Sequence, residues 1–197
     1  LKKLDSETLE VTVTGNLIIG NDFDNAMKND TIRAEVVGLP LSLIILLFVF
    51  GTFTAAVLPL LIALLMIALA TGISYWMSDW WFFGLTEYSV SMISLIGIAV
   101  SIDYSLFMIS RFREEIAKGE STESAIATMM DTAGRAVMYS GATVAVGLCS
   151  LFYFDATHMP SMGMGAFLAV AAAMLYSFTV LPALLSYLGP RINSCLL

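Results

Sequence analysis

From Val36 to Ser78 the chain contains no charged residue. A single helix of that length, rising about 1.5 Å per residue, would reach about 65 Å, twice the hydrocarbon thickness of a bilayer. The run therefore has to cross an apolar layer, fold back once and cross it again. The turn-forming residues sit near its middle, at Gly51-Thr52-Phe53-Thr54. Helix I is expected over 33–50 and helix II over 55–77. Pro40 and Pro59 then fall near helix beginnings, where a missing N–H costs least. Three more apolar runs follow, giving helix III over 88–110, helix IV over 136–154 and helix V over 161–188, the last ended by Gly189-Pro190. The runs are continuous rather than alternating, which favours helices over the strands of a closed barrel. The expected fold is an all-α membrane protein, a five-helix transmembrane bundle spanning residues 35–190.

Composition agrees. Hydrophobic residues make up 58% of the chain and charged residues 13%, about half the charged share of a soluble domain. Orientation follows from lysine and arginine, which collect on the cytoplasmic side. Arg111, Arg113, Lys118 and Arg135 lie between helices III and IV, and Arg191 follows helix V. The connections 79–87 and 155–160 carry neither residue type. With five spans, the bases share one side, so the N-terminus is expected outside the cell membrane and the C-terminus in the cytoplasm. Trp76, Trp80, Trp81 and Phe82 then lie at the outer interface, where aromatic belts belong.

Residues 1–34 are expected to be a short extracytoplasmic α/β tail. Residues 10–15 alternate and end in Gly15, like a last strand, and 22–34 reads as a polar helix leading into helix I. The seven acids and four bases of residues 1–35 exclude a basic arm for nucleic acid. In the long inner connection, Gly119 breaks the chain and Ser121 can cap a helix over 121–134. Ile126, Met129, Met130 and Ala133 form an apolar stripe on it at i, i+3, i+4 and i+7. Such a helix suits the inner membrane surface, and an ordinary packed connector would show the same stripe. Cys149 and Cys195 give no disulfide framework. The chain begins at Leu1 with no signal pattern, which reads as a piece of a longer protein.

Asp103 is the only acid inside the apolar runs of the five expected spans, about 10 Å of helix above Ser110 at the inner end of helix III. A charge at that depth costs at least about 2.5–3.5 kcal/mol on insertion scales, so it should face protein or water. Its neighbours at i±3 and i±4 are Ala99, Val100, Leu106 and Phe107, and the apolar runs contain no Lys, Arg or His. Any partner within the chain is neutral, with Thr71, Ser74, Ser140, Thr143, Tyr176 and Ser177 as candidates. Desolvation favours the neutral form of a carboxyl, and a group that gains and loses a proton is what a relay requires. A permanently protonated carboxyl bonding two helices together is the alternative. Tyr104 follows, 100° further round the helix by its 3.6-residue turn; its hydroxyl could serve a carboxylate on another helix, although a tyrosine in a span is more often packing. Ser91, Ser94, Gly97, Ser101 and Ser105 make helix III small and polar, as close packing or a hydrated face requires.

The segment Gly97-Ile-Ala-Val-Ser-Ile-Asp-Tyr-Ser-Leu-Phe-Met-Ile-Ser-Arg-Phe-Arg-Glu-Glu115 resembles the fourth transmembrane helix of MMPL transporters, a branch of the RND superfamily. Phe48-Val-Phe-Gly51 with Leu58-Pro59 resembles that family's turn between helices 2 and 3. Ala133-Gly-Arg-Ala-Val resembles the start of helix 5, and Val180-Leu-Pro-Ala-Leu-Leu185 the end of helix 6. The resemblance implies half of an RND-type transporter, helices 2 to 6, preceded by the tail of an extracytoplasmic porter domain. It implies a proton-motive-force-driven exporter of lipids or other hydrophobic compounds, with Asp103 and Tyr104 as the proton relay. The family completes that relay with a second Asp-Tyr pair from its C-terminal half. This chain lacks that pair, so the implied partner is the missing half or a second copy. Ser101 also stands where the family more often has glycine or alanine.

Five such helices are also the extent of a sterol-sensing domain, as in Patched-like and Niemann–Pick-like proteins, which would make the chain a lipid-binding or sensing module. The Ser110-Arg-Phe-Arg-Glu-Glu tail favours the transporter. A membrane scaffold without transport is a third class. No enzymatic role is expected. His158 is the only histidine, so no histidine cluster for a metal forms, and no nucleotide-binding loop is present. No cofactor is expected.

Overall fold

A computed structural model describes residues 16–78, 87–154 and 158–193. The expected strand over 10–15 and the aromatic residues Trp80, Trp81 and Phe82 lie outside the described residues. The chain builds α1 (Asn16–Phe50), α2 (Phe53–Ser78), α3 (Glu87–Ala117), α4 (Thr122–Met129), α5 (Arg135–Cys149), α6 (Met159–Phe178) and α7 (Val180–Leu188). Among the described residues, five helical stretches are long and apolar enough to cross a membrane: Asn25–Phe50, Phe53–Met77, Tyr88–Ala117, Thr122–Tyr153 and Met159–Ile192. The protein is an all-α, multi-pass membrane bundle.

The fold-back occurs where the turn residues are. Gly51 has φ +64°, a left-handed conformation that glycine adopts without a Cβ penalty. Its N–H closes the end of α1 on the Leu47 carbonyl at 2.8 Å, and α2 starts two residues later. Arg113 of α3 secures the turn: one guanidinium nitrogen donates to the Phe50 carbonyl at 2.8 Å, and the group lies 5.5 Å from the centre of the Phe50 ring. A cation at a helix C-terminus satisfies a carbonyl that the helix itself leaves unpaired.

Upstream, the polar segment and helix I form one uninterrupted helix, so Pro40 stands in the interior of α1 and not near its start. The ring removes one hydrogen bond, whereas a broken helix in an apolar layer would leave several groups without partners. Helix V departs from expectation the other way. It bends between α6 and α7, at Thr179 (φ −116°, ψ −65°). Pro182 has no N–H for the Phe178 carbonyl and crowds it sterically. The Thr179 hydroxyl donates back to the Leu175 carbonyl at 2.6 Å.

Ser121 caps α4 as its position suggests, its Oγ accepting from the Ser124 N–H at 3.3 Å. The helix then passes through a π-helical turn, Met130–Gly134, straight into α5, with no gap between the connector and helix IV. Met129 and Ala133 of the apolar stripe are buried, with Ala125 beside them, and Ile126 and Met130 pack against the same core. α3 and α7 cover this stripe, as a packed connector requires.

α3 and α6 form the centre of the bundle. α2 packs on both, α1 on α2 and α3, and α5 on α6. Small residues set the central crossing. A Cβ added to Gly165 of α6 would stand 2.8 Å from the Ser89 Cα and collide with that residue's carbonyl oxygen. The two backbones touch there, and the hydroxyls of Ser89 and Ser161 share a hydrogen bond at 2.5 Å beside the contact. Outside this core the apolar surface is open, with Phe48 of α1 91% exposed, as a lipid-facing wall would be.

Candidate functional site

α3 carries two stripes with different surroundings. Ser94, Gly97, Ser101, Tyr104, Met108 and Phe112 recur every three or four residues and are buried against the bundle. Leu95, Ala99, Asp103 and Phe107 recur every four residues and are exposed. Adjacent residues on a helix diverge by about 100°, so the aspartate and tyrosine separate. Asp103 lies on the open face, and its carboxylate makes no hydrogen bond or ion pair within the described residues. Tyr104 points into the core at 8% exposure, and its hydroxyl has no partner there. The buried hydroxyls of Ser101, Ser105 and Ser177 also lack partners among the described residues. The fold thus does not bring Asp103 and Tyr104 together at one point.

Asp103 sits at the inner end of a groove of about 340 Å³ between α1 and α3, facing Glu35, Gly38 and Ser42 of α1. None of the six hydroxyls named from sequence lines it. Thr71 and Thr143 donate to carbonyls of their own helices, those of Ile67 and Tyr139. Two polar groups in the groove escaped the sequence reading, Glu35 and Ser42. Glu35 stands at the edge of the expected helix I, next to the apolar run, yet it belongs to a membrane-length helix and shares a groove with Asp103. The usable signal was spacing: Glu35, Gly38 and Ser42 fall at i, i+3 and i+7, one face of α1.

The basic tail of α3 is held by acids close by. Arg111 pairs with Glu114 at 2.9 Å and with Glu115 at 2.7 Å, and Lys118 reaches Glu115 at 2.8 Å. Glu115 is buried between them. The Arg111 Nε also donates to the Thr132 hydroxyl at 3.2 Å, tying α3 to the π-helical turn. At the opposite end His158 stacks at a tilt on Tyr88, with ring centres 4.6 Å apart, and is itself exposed. Among the described residues no three His, Cys, Asp or Glu side chains gather as metal ligands would. Cys149 is a free, exposed thiol.

A multi-pass helical bundle centred on α3 and α6, with a carboxylate on its open face that has no partner among the described residues, is a membrane domain. The chain belongs to the MMPL family, whose model matches residues 1–194. It is 40% identical over 177 residues to the mycolic acid-containing lipids exporter MmpL11 of Mycolicibacterium smegmatis, covering 90% of this chain and 18% of that protein. It is 36% identical over 195 residues to the trehalose monomycolate exporter MmpL3 of Mycobacterium tuberculosis, covering 98% of this chain and 20% of that protein. To MmpL3 of Mycolicibacterium smegmatis it is 36% identical over 185 residues. The chain spans about a fifth of the length of these relatives.

Proposed function

We propose that the intact protein exports lipids or similarly hydrophobic compounds across the cell membrane, driven by protons that pass through Asp103. The observation that carries this reading is a carboxylate, without a partner among the described residues, at depth in a helix of an MMPL-family bundle. An acid at such depth is costly to keep, and an acid kept on an open face is positioned to exchange protons with a group brought by another element. The relatives' names support a lipid cargo. Asp103 takes up the proton and Tyr104 is the second relay residue. A rotation of α3 by part of a turn, or a neighbouring helix laid over its open face, would bring the phenol into the path.

In this reading residues 1–34 are the end of an extracytoplasmic porter-like domain, the basic residues of the α3–α5 connection face the cytoplasm, and the open face of α3 is covered by a second transmembrane half or a second copy. Transport rather than catalysis is the role. The test is export of a fluorescent phosphatidylethanolamine by the intact protein in proteoliposomes. An imposed pH gradient should drive export and a protonophore should stop it. Export that continues unchanged without the gradient contradicts the proton-driven reading.

A further inference from the structure

We propose that the α1–α3 groove is the water-filled route by which protons from the outer side reach Asp103, and that Glu35 is the carboxylate that passes them inward. The inference rests on the relay reading of Asp103 above. Two hollows lie end to end between these helices. The outer one, about 300 Å³, is lined by Lys28, Thr31 and Glu35 of α1 and by Tyr88, Ser91 and Ser94 of α3. The inner one, about 340 Å³, runs from Glu35 past Gly38 and Ser42 to Asp103. Glu35 lines both, so the hollows meet at its side chain.

Three observations indicate water rather than a hydrocarbon chain as the occupant. Ser91 and Ser94 are more than nine-tenths buried, at 8% and 6% exposure, and line the outer hollow. Their hydroxyls have no hydrogen-bond partner among the described residues. Hydroxyls in a buried hollow call for ordered water, and a water occupies about 30 Å³ of liquid, so either hollow holds several. Between Glu35 and Asp103, α1 presents a glycine and leaves the space beside it open: a Cβ at Gly38 would meet nothing within 4 Å. The polar groups also share one face of α1, Thr31, Glu35 and Ser42 standing at i, i+4 and i+11 with Gly38 between them at i+7.

The titratable or charged groups that line the two hollows are Lys28 and Glu35 from α1 and Tyr88 and Asp103 from α3, and α2, also packed on α1, contributes none. Lys28 and Tyr88 stand at the outer mouth. Between the mouth and Asp103, Glu35 is the one group among the described lining residues that can accept a proton and release it. A hydronium in the outer hollow gives its proton to the Glu35 carboxylate, and the resulting acid releases it to water in the inner hollow. Asp103 then takes it up, which leaves Asp103 neutral and Glu35 again a carboxylate. No other bond changes.

The experiment uses the intact protein in membranes, free of other cysteines, with single cysteines at Ser94 or Ser42 and a membrane-impermeant cationic thiosulfonate added from the outer side. Both positions should react. Adding Gly38→Leu, whose Cβ has free space, should protect position 42 and leave position 94 reactive. Glu35→Gln should leave both reactivities unchanged while slowing pH-gradient-driven export of the fluorescent phosphatidylethanolamine by roughly tenfold, less than a complete block because water can still file past. Glu35→Asp should retain most of the export. Cysteines that do not react, as they would behind a lipid chain, overturn the proposal. So does wild-type export by both Glu35→Gln and Gly38→Leu while Asp103→Asn is inactive, an outcome that leaves the relay reading in place. Wild-type export by Asp103→Asn instead removes the relay reading, and the thiol pattern still decides whether the route is hydrated.

Discussion

A carboxylate and a phenol that follow each other on a helix face different surroundings, and their substitutions should separate accordingly. The Tyr104 hydroxyl is buried without a partner among the described residues, so removing it takes away a desolvated polar group and leaves the ring's packing in place. Tyr104→Phe is expected to leave thermal stability in detergent unchanged or raise it by up to about 1 kcal/mol. A fall of several degrees in melting temperature would show that the hydroxyl is bonded to something in the intact protein. Export by the same variant should be impaired but not lost. The isolation of Asp103 was readable from the chain, because it is a lone acid in an apolar run. The direction in which Tyr104 points was not, nor was the meeting of Asp103 with the α1 face that spacing assigns to Glu35 and Ser42. They depend on the rotation of α1 against α3, which is set by packing in three dimensions and not by the composition of either run.

At the level of the helices, the α3–α6 crossing depends on the absence of side chains. Gly165→Ala forces a methyl into the Ser89 backbone, which cannot swing aside as a side chain could. A loss of about 1–3 kcal/mol is expected for such overpacking. Gly72→Ala, with no atom within 4 Å of the new Cβ, should be neutral or gain a few tenths of a kcal/mol from helix propensity. Equal melting temperatures for the two variants would mean that the central crossing is looser than described. The five spans, the Gly51 turn and the Ser121 cap were legible because each depends on local rules: run length against bilayer thickness, a residue tolerant of positive φ, a hydroxyl before a helix. The bend at Thr179 was equally local, since Pro182 was visible, but the stronger stop at Gly189-Pro190 drew the boundary past it. The continuity of α4 into α5 was hidden because a π-helical turn has no simple residue signature. It is held by contacts with α3 and α7 that no local pattern reports.

For the whole molecule, the placement of basic residues proposes an orientation that can be tested without reference to transport. In a background without Cys149 and Cys195, Lys118→Cys should resist a membrane-impermeant maleimide in intact cells, and His158→Cys should react. The reverse pattern would mean that the α3–α5 connection lies outside. The membership of the family and the number of spans leave one claim at the centre, that proton exchange at Asp103 drives export. Asparagine has the shape of aspartate and cannot titrate. The most direct measurement is therefore pH-gradient-driven export by the intact Asp103→Asn protein in proteoliposomes, alongside a check that it inserts as the wild type does. The account predicts normal insertion and no gradient-driven export, whereas export at the wild-type rate would contradict it.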